Sequence, residues 1–151
     1  MRLWSYQILD VLPDKFIIAE WRECIAIKRQ WEKGTLKHRL VSYIMDYDKN
    51  YFLHYTLRVV TELKIRKIKY QEKYWTEIRD FCVKYGTPIT SLYYPEHNDR
   101  YLKQCLYNLE EKFDRKIITE EEWKKIHDKF KDFTNLWEGE YHEWKFKRKI
   151  I

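Results

Sequence analysis

The sequence predicts an all-α fold: a single compact helical domain over residues 1–151, with long loops and an aromatic, basic C-terminal tail. Three observations carry that expectation. Three glycines and three prolines leave little turn chemistry for a sandwich or a barrel. Apolar side chains recur at intervals of three and four residues along several stretches, the period of a helix with one buried face. Hydrophobic residues make up 44% of the chain, enough for one core at a length too short for two domains.

The elements follow in order. Leu12-Pro13-Asp14 starts the first helix, with proline in the first turn, where its missing N–H costs nothing, and Asp14 complementing the helix dipole. Ile17, Trp21, Cys24 and Trp31 share one face of that helix, and Gly34 ends it. Residues 35–50 read as a basic loop carrying Lys37-His38-Arg39. Asp48 or Asn50 caps a second helix, along which Phe52, Tyr55, Val59, Leu63 and Arg66 trace one stripe. Residues 70–85 continue or restart it, with Trp75, Ile78, Phe81 and Cys82 inward and Gly86 at the end. Residues 86–98 contain Pro88 and Pro95 and form a loop. Asn98 or Asp99 begins another helix, whose apolar side carries Tyr101, Leu102, Cys105, Leu106, Leu109 and Phe113. Thr119 and Glu122 form a capping box that opens a last helix through Phe133. The tail begins at Thr134.

Charge narrows the function classes. The formal net charge is +6 and 18% of residues are aromatic. A basic surface draws polyanions, and aromatic rings offer flat faces to bases, although solvated lysines on an ordinary surface give the same composition. The charge is uneven. From Arg22 to Arg39 six basic residues face two acidic ones, a balance of +4, whereas Glu110 to Asp132 carries eight acidic and seven basic residues. One basic side suits a one-faced polyanion binder.

Other classes fall away. Cys24, Cys82 and Cys105 are odd in number and lack a C-x-x-C pair, so reduced, buried thiols in a cytosolic protein are expected. The histidines at 38, 54, 97, 127 and 142 show no metal-ligand spacing, and neither a metal nor a cofactor is expected. No apolar run approaches the roughly 18 residues of a membrane span. Asp10, Asp14 and Lys15 interrupt any signal-peptide core.

Two groups stand out chemically. Glu23 lies mid-helix, one turn from Ala19 and Glu20 on one side and from Ala26 and Ile27 on the other. The small alanines leave space beside the carboxylate, Ile27 limits its solvation and Glu20 adds like charge. Such a setting favours the protonated form and makes Glu23 an acid–base candidate. An ordinary half-exposed glutamate paired with Lys28 or Arg22 fits the same pattern. The second group is the α-amine of Met1, which is retained before a residue as large as Arg2. An α-amine has an intrinsic pKa of about 7.7–8, against about 10.4 for lysine, so a sizeable fraction is neutral and nucleophilic at physiological pH. An amine that attacks a sugar C1′ forms an imine, and the imine acidifies the adjacent carbon for β-elimination.

The opening Met1-Arg2-Leu3-Trp4, followed by Leu12-Pro13 and Ala19-Glu20-Trp21-Arg22-Glu23-Cys24, resembles the pyrimidine-dimer DNA glycosylases of the phage endonuclease V type. In that family the nucleophile is the N-terminal amine, an arginine follows it, and a peptide Ala-Glu-aromatic-Arg-Glu on the first helix ends in the catalytic glutamate. Bacterial and archaeal relatives begin Met-Arg-Leu-Trp and continue with Leu-Pro and Arg-Glu-Cys. Lys37-His38 resembles a lysine–histidine pair that those relatives carry after the first helix. Asn108-Leu109-Glu110-Glu111-Lys112 resembles a third-helix segment that contacts phosphate, with Asn108 where the family has arginine. The resemblance is strong over residues 1–65 and fragmentary beyond.

The resemblance implies a repair enzyme that binds duplex DNA containing pyrimidine dimers or abasic sites, cleaves the 5′ glycosylic bond of the dimer and then nicks the strand as an AP lyase. It implies catalytic roles for Met1 and Glu23 and DNA contacts by Arg2, Arg22, Lys28, Lys37, His38 and Lys112. The aromatic, basic tail is associated in the family with damaged-base recognition, which adds Trp144. Core packing is the competing role for Trp137, Tyr141 and Trp144. No membrane and no obligate protein partner are implied. A non-catalytic basic module that binds nucleic acid, and a same-fold glycosylase for another modified base, are the alternatives.

Overall fold

The computed structural model describes residues 1–85 and 93–131. The chain is all-helical, with five α-helices and no strand among the described residues: α1 (Asp14–Lys33), α2 (Lys49–Ile65), α3 (Glu72–Tyr85), α4 (Asp99–Asp114) and α5 (Glu120–Phe130). Two short 3-10 turns, Leu9–Val11 and Ser42–Asp46, complete the regular structure. Two compact units divide the chain, Met1–Cys105 and Leu106–Ile151.

In the first unit α1, α2 and α3 pack on one another, and both 3-10 turns lie against α2. The core comprises Leu3, Ile8, Leu12, Ile17, Cys24, Ile27, Ile44, Phe52, Val59, Leu63 and Ile78, all at most 1% exposed. Gly34 ends α1 in the left-handed conformation at φ +72°, where glycine carries no Cβ penalty, and its N–H bonds back to the last turn. Asp48 caps α2 by accepting the Asn50 N–H at 2.8 Å. Trp31 meets Phe52 and Phe81 edge-on at 5.9 and 5.8 Å, which locks the end of α1 onto α2 and α3.

Several local expectations shift. Pro13 is the residue before the first turn of α1, not part of it, because its ψ of 149° is extended. The basic loop at 35–50 contains the Ser42–Asp46 turn, since Ile44 is drawn into the core. Arg66 is not a stripe residue. It ends α2, and its guanidinium bonds the carbonyls of Leu9 and Leu12 as well as Glu62 and Asp14, tying the turn before α1 to α2. Trp75 is half-buried. Gly86 and the first part of the predicted loop, residues 86–92, lie outside the described residues.

In the second unit, Thr119 accepts the Glu122 N–H and Glu122 returns a bond from the Thr119 N–H, the predicted capping box. Helix α5 ends at Phe130, short of Phe133, which lies outside the described residues together with the whole tail and Trp144. Phe113 stacks on Trp123 at 5.5 Å.

Candidate active site

The site is built where the opening segment crosses α1. Leu3, Trp4 and Ser5 are buried, which fixes the path of the first residues. The Leu3 carbonyl accepts the Tyr101 hydroxyl, and the Trp4 carbonyl accepts the Tyr55 hydroxyl at 2.7 Å. Arg2 and Trp4, two positions apart, both aim backbone N–H groups at α1. Glu23 Oε2 accepts the first at 3.0 Å and Glu20 Oε1 the second at 3.2 Å. Glutamates three positions apart share one helix face, so the spacing in α1 matches the two amides.

The same carboxylate faces the N-terminal amine. Met1 N lies 3.9 Å from Glu23 Oε1, with side-chain exposures of 16% and 34%. That distance is ion-pair range and longer than a hydrogen bond, so the amine is held by charge without being locked. The Arg2 guanidinium lies over the rings of Trp4 and Tyr101, 5.8 and 5.9 Å from their centroids, which braces the second residue.

The buried carboxylate is Glu20, not Glu23. Glu20 is 1% exposed, and burial pushes its carboxyl well above the ordinary carboxylate range, with the charge of Glu23 pushing the same way. The sequence assigned that environment to Glu23, but Ala19 faces solvent and the Glu23 carboxylate is capped by Arg2 N–H and the amine. A signal for Glu20 existed. It falls on the α1 stripe of Ile17, Trp21, Cys24 and Ile27, and a charged residue on an apolar stripe is a buried one.

Beside the opening segment lies a tyrosine-rich cluster that the sequence left unread. His97 is 4% exposed, and burial lowers its pKa to about 4. Its Nδ1 accepts the Tyr6 N–H at 3.3 Å, so the neutral ring carries its proton on Nε2 and donates to the Tyr43 hydroxyl at 2.7 Å. His97 thereby holds Tyr6, two residues past Trp4, in place.

The predicted DNA contacts are distributed unevenly. Arg22 is exposed and opens on a shallow groove of about 470 Å³ with Ala26, Arg29 and Tyr74, on another side of α1 from Glu23. Lys37 and His38 are exposed on the loop between the buried Leu36 and Val41, which anchor it at both ends. Lys28 is not displayed for phosphate. Its side chain is 7% exposed, and its ammonium bridges Glu32 at 3.2 Å and Glu77 at 3.7 Å. Lys112 lies in the last turn of α4, in the second unit, where it is half-buried. Among the described residues no group of His, Cys, Asp and Glu has the arrangement to hold a metal ion, and no helix is long and apolar enough to cross a membrane.

The family model described as pyrimidine dimer DNA glycosylase matches residues 1–76, half of the chain, from the amine through α1 and α2 to the start of α3. The chain belongs to the pyrimidine dimer DNA glycosylase family. This glycosylase is a DNA repair enzyme with DNA as its substrate. The matched stretch contains Met1, Glu20, Glu23 and Tyr55, so every group that orders the opening segment on α1 and α2, apart from Tyr101 and His97, falls within it. No curated protein and no solved structure matched the chain.

Proposed function

We propose that residues 1–151 act as one repair domain that cleaves the glycosylic bond of the 5′ pyrimidine of a cyclobutane dimer and then nicks the strand as an AP lyase. The observation that carries this reading is the pairing of the Met1 amine with Glu23 at 3.9 Å on the buried platform of Leu3, Trp4 and Ser5. The neutral amine attacks C1′, forming a C–N bond as the C1′–pyrimidine bond breaks. The amine then loses a proton, the C1′–O4′ bond opens, and a protonated imine results. Loss of a C2′ proton expels the 3′ phosphate, which is the β-elimination step; water then releases the amine.

Glu23 balances the positive charge that develops on the sugar and imine; it takes the proton from the amine, returns it to O4′ as the ring opens, and is then free to accept the C2′ proton, while the departing pyrimidine anion takes its proton from water. Arg2 and Arg22 hold flanking phosphates, joined by Lys37 and His38 on their loop. Lys112 and Trp144 are further DNA contacts, and Lys28 acts through the order it gives to α1 and α3. A dimer weakens stacking in the duplex, so deformability supplies selectivity without sequence readout. No cofactor takes part.

Borohydride trapping on an abasic-site duplex tests the reading. A covalent protein–DNA adduct is expected, together with incision of dimer-containing duplex. DNA binding without an adduct would favour a non-catalytic module. An adduct with no activity on dimers would favour another modified base.

A further inference from the structure

Glu20 has no place in the steps above, yet it is the most buried carboxylate of the first unit. Its Oε1 accepts the Trp4 N–H at 3.2 Å and lies 2.7 Å from the Tyr55 hydroxyl, which itself lies 2.7 Å from the Trp4 carbonyl. The carboxyl groups of Glu20 and Glu23, three positions apart on one face of α1, lie against each other. Two carboxylates in contact, one of them 1% exposed, cannot both stay ionised without a large desolvation and repulsion cost.

Which one keeps its charge is decided by their partners. Glu23 has a cation, the Met1 amine, at 3.9 Å and the Arg2 N–H at 3.0 Å. Glu20 is met by neutral donors, the Trp4 amide and the Tyr55 phenol. Counting protons gives the same answer. The phenol carries one hydrogen, shared between the Trp4 carbonyl and Glu20 Oε1, and none is left for the contact between the two carboxyl groups. A proton on Glu20 Oε2 supplies it. Oε1, which already accepts the Trp4 N–H, is then the carbonyl oxygen of a neutral acid.

We propose that Glu20 is a positioning residue, held as a neutral carboxylic acid that donates a hydrogen bond to Glu23 while its other oxygen pins the Trp4 amide. One side chain thus sets both partners of the amine–carboxylate pair: it orients Glu23, and it fixes the segment that carries Met1. A neutral neighbour donates a hydrogen bond to Glu23 and sets no second charge beside it. The role in turnover rests on the Met1–Glu23 reading; the protonation state does not.

The test compares Glu20→Gln and Glu20→Asp in the full chain. Glutamine offers an amide N–H in place of the acid O–H and keeps the acceptor for Trp4, so Glu20→Gln should trap abasic DNA within about threefold of the parent. Aspartate is one methylene short and cannot reach both Trp4 and Glu23, so its rate should fall on the order of tenfold or more. In parallel, the parent at pH 7 should show the infrared carbonyl stretch of a protonated carboxyl group, shifted in heavy water and missing from Glu20→Gln. A Glu20→Gln variant that folds and binds DNA as the parent does but traps more than about tenfold slower would overturn the proposal. So would identical acid carbonyl bands in parent and variant. A parent that forms no adduct sinks the catalytic reading instead, and the infrared comparison still decides whether Glu20 carries the proton.

Discussion

Replacing Glu23 by glutamine removes one negative charge and little else. The amide oxygen keeps the 3.0 Å bond from Arg2 N–H, so the opening segment should stay on α1. What is lost is the attraction between the carboxylate and the positive charge that develops at the amine and sugar carbon. Two unit charges about 4 Å apart interact by about 1 kcal/mol in bulk water and about 4 kcal/mol at the effective dielectric of a protein surface. The Met1–Glu23 separation is 3.9 Å and Glu23 is 34% exposed, which puts this pair between those limits. An intermediate value of roughly 2–3 kcal/mol corresponds to a rate loss on the order of a hundredfold, and loss of the proton acceptor adds to it. The assay is single-turnover excision on a dimer-containing duplex, with binding to the same duplex measured separately. Excision should fall by about two orders of magnitude while affinity changes by less than about threefold. A glutamine variant that cleaves at the parental rate would show that Glu23 neither stabilises charge nor moves a proton.

Three further outcomes are expected. Binding should weaken steeply with salt, and Arg22→Ala or Lys112→Ala should each lower the slope of log affinity against log salt by about one unit. Lys28→Ala should leave that slope unchanged and lower stability instead, because it removes a buried side chain that bridges Glu32 and Glu77, leaving Glu77 with Arg29 alone; an equal slope change in Lys28→Ala would restore it as a phosphate contact. Tyr55→Phe removes the hydroxyl of a residue that is 3% exposed, placed 2.7 Å from both the Trp4 carbonyl and Glu20, so urea unfolding should show a loss of about 1–3 kcal/mol, and a loss under about 0.5 kcal/mol would deny that bond its structural weight. For His97, whose folded pKa of about 4 lies below its ordinary 6.5, the unfolded chain binds the extra proton between those values. Stability from a neutral His97 is therefore present above pH 6.5 and lost as pH falls toward about 4, by up to roughly 3 kcal/mol. His97→Gln keeps a donor and an acceptor but cannot titrate, so the stability difference between parent and variant should shift in the parent's favour from pH 4 to pH 7. A difference independent of pH would contradict the buried, neutral ring.

Local chemistry made the helices legible before any coordinates. Gly34, Asp48 and the Thr119–Glu122 pair mark ends by hydrogen bonds within a few residues, and the structure places those ends as read. The pairing of Met1 with Glu23 followed from family-like spacing, not from periodicity. Hidden from the sequence was the partner of each polar group. Glu20, Tyr55 and Trp4 are separated by 16 to 51 positions, and no local pattern shows that one hydroxyl meets both a carbonyl and a carboxyl. The His97 cluster, drawn from the segments around Tyr6, Tyr43 and Tyr94, is likewise a product of tertiary packing. Lys28, read from the sequence as a phosphate contact, is buried on α1 and paired with Glu32 and Glu77, and the Glu77 partner lies too far along the chain for a local pattern to announce.

The central claim is that the N-terminal amine, and no lysine, forms the covalent bond to the sugar. The direct measurement is peptide mapping by mass spectrometry of the borohydride-reduced adduct on abasic DNA, from the untagged chain and from one carrying an uncleaved N-terminal extension. An extension turns the amine into a non-nucleophilic amide, so the account predicts a DNA remnant on Met1 in the untagged protein and no adduct from the extended one. Equal adduct yields with the remnant on an internal lysine would contradict it.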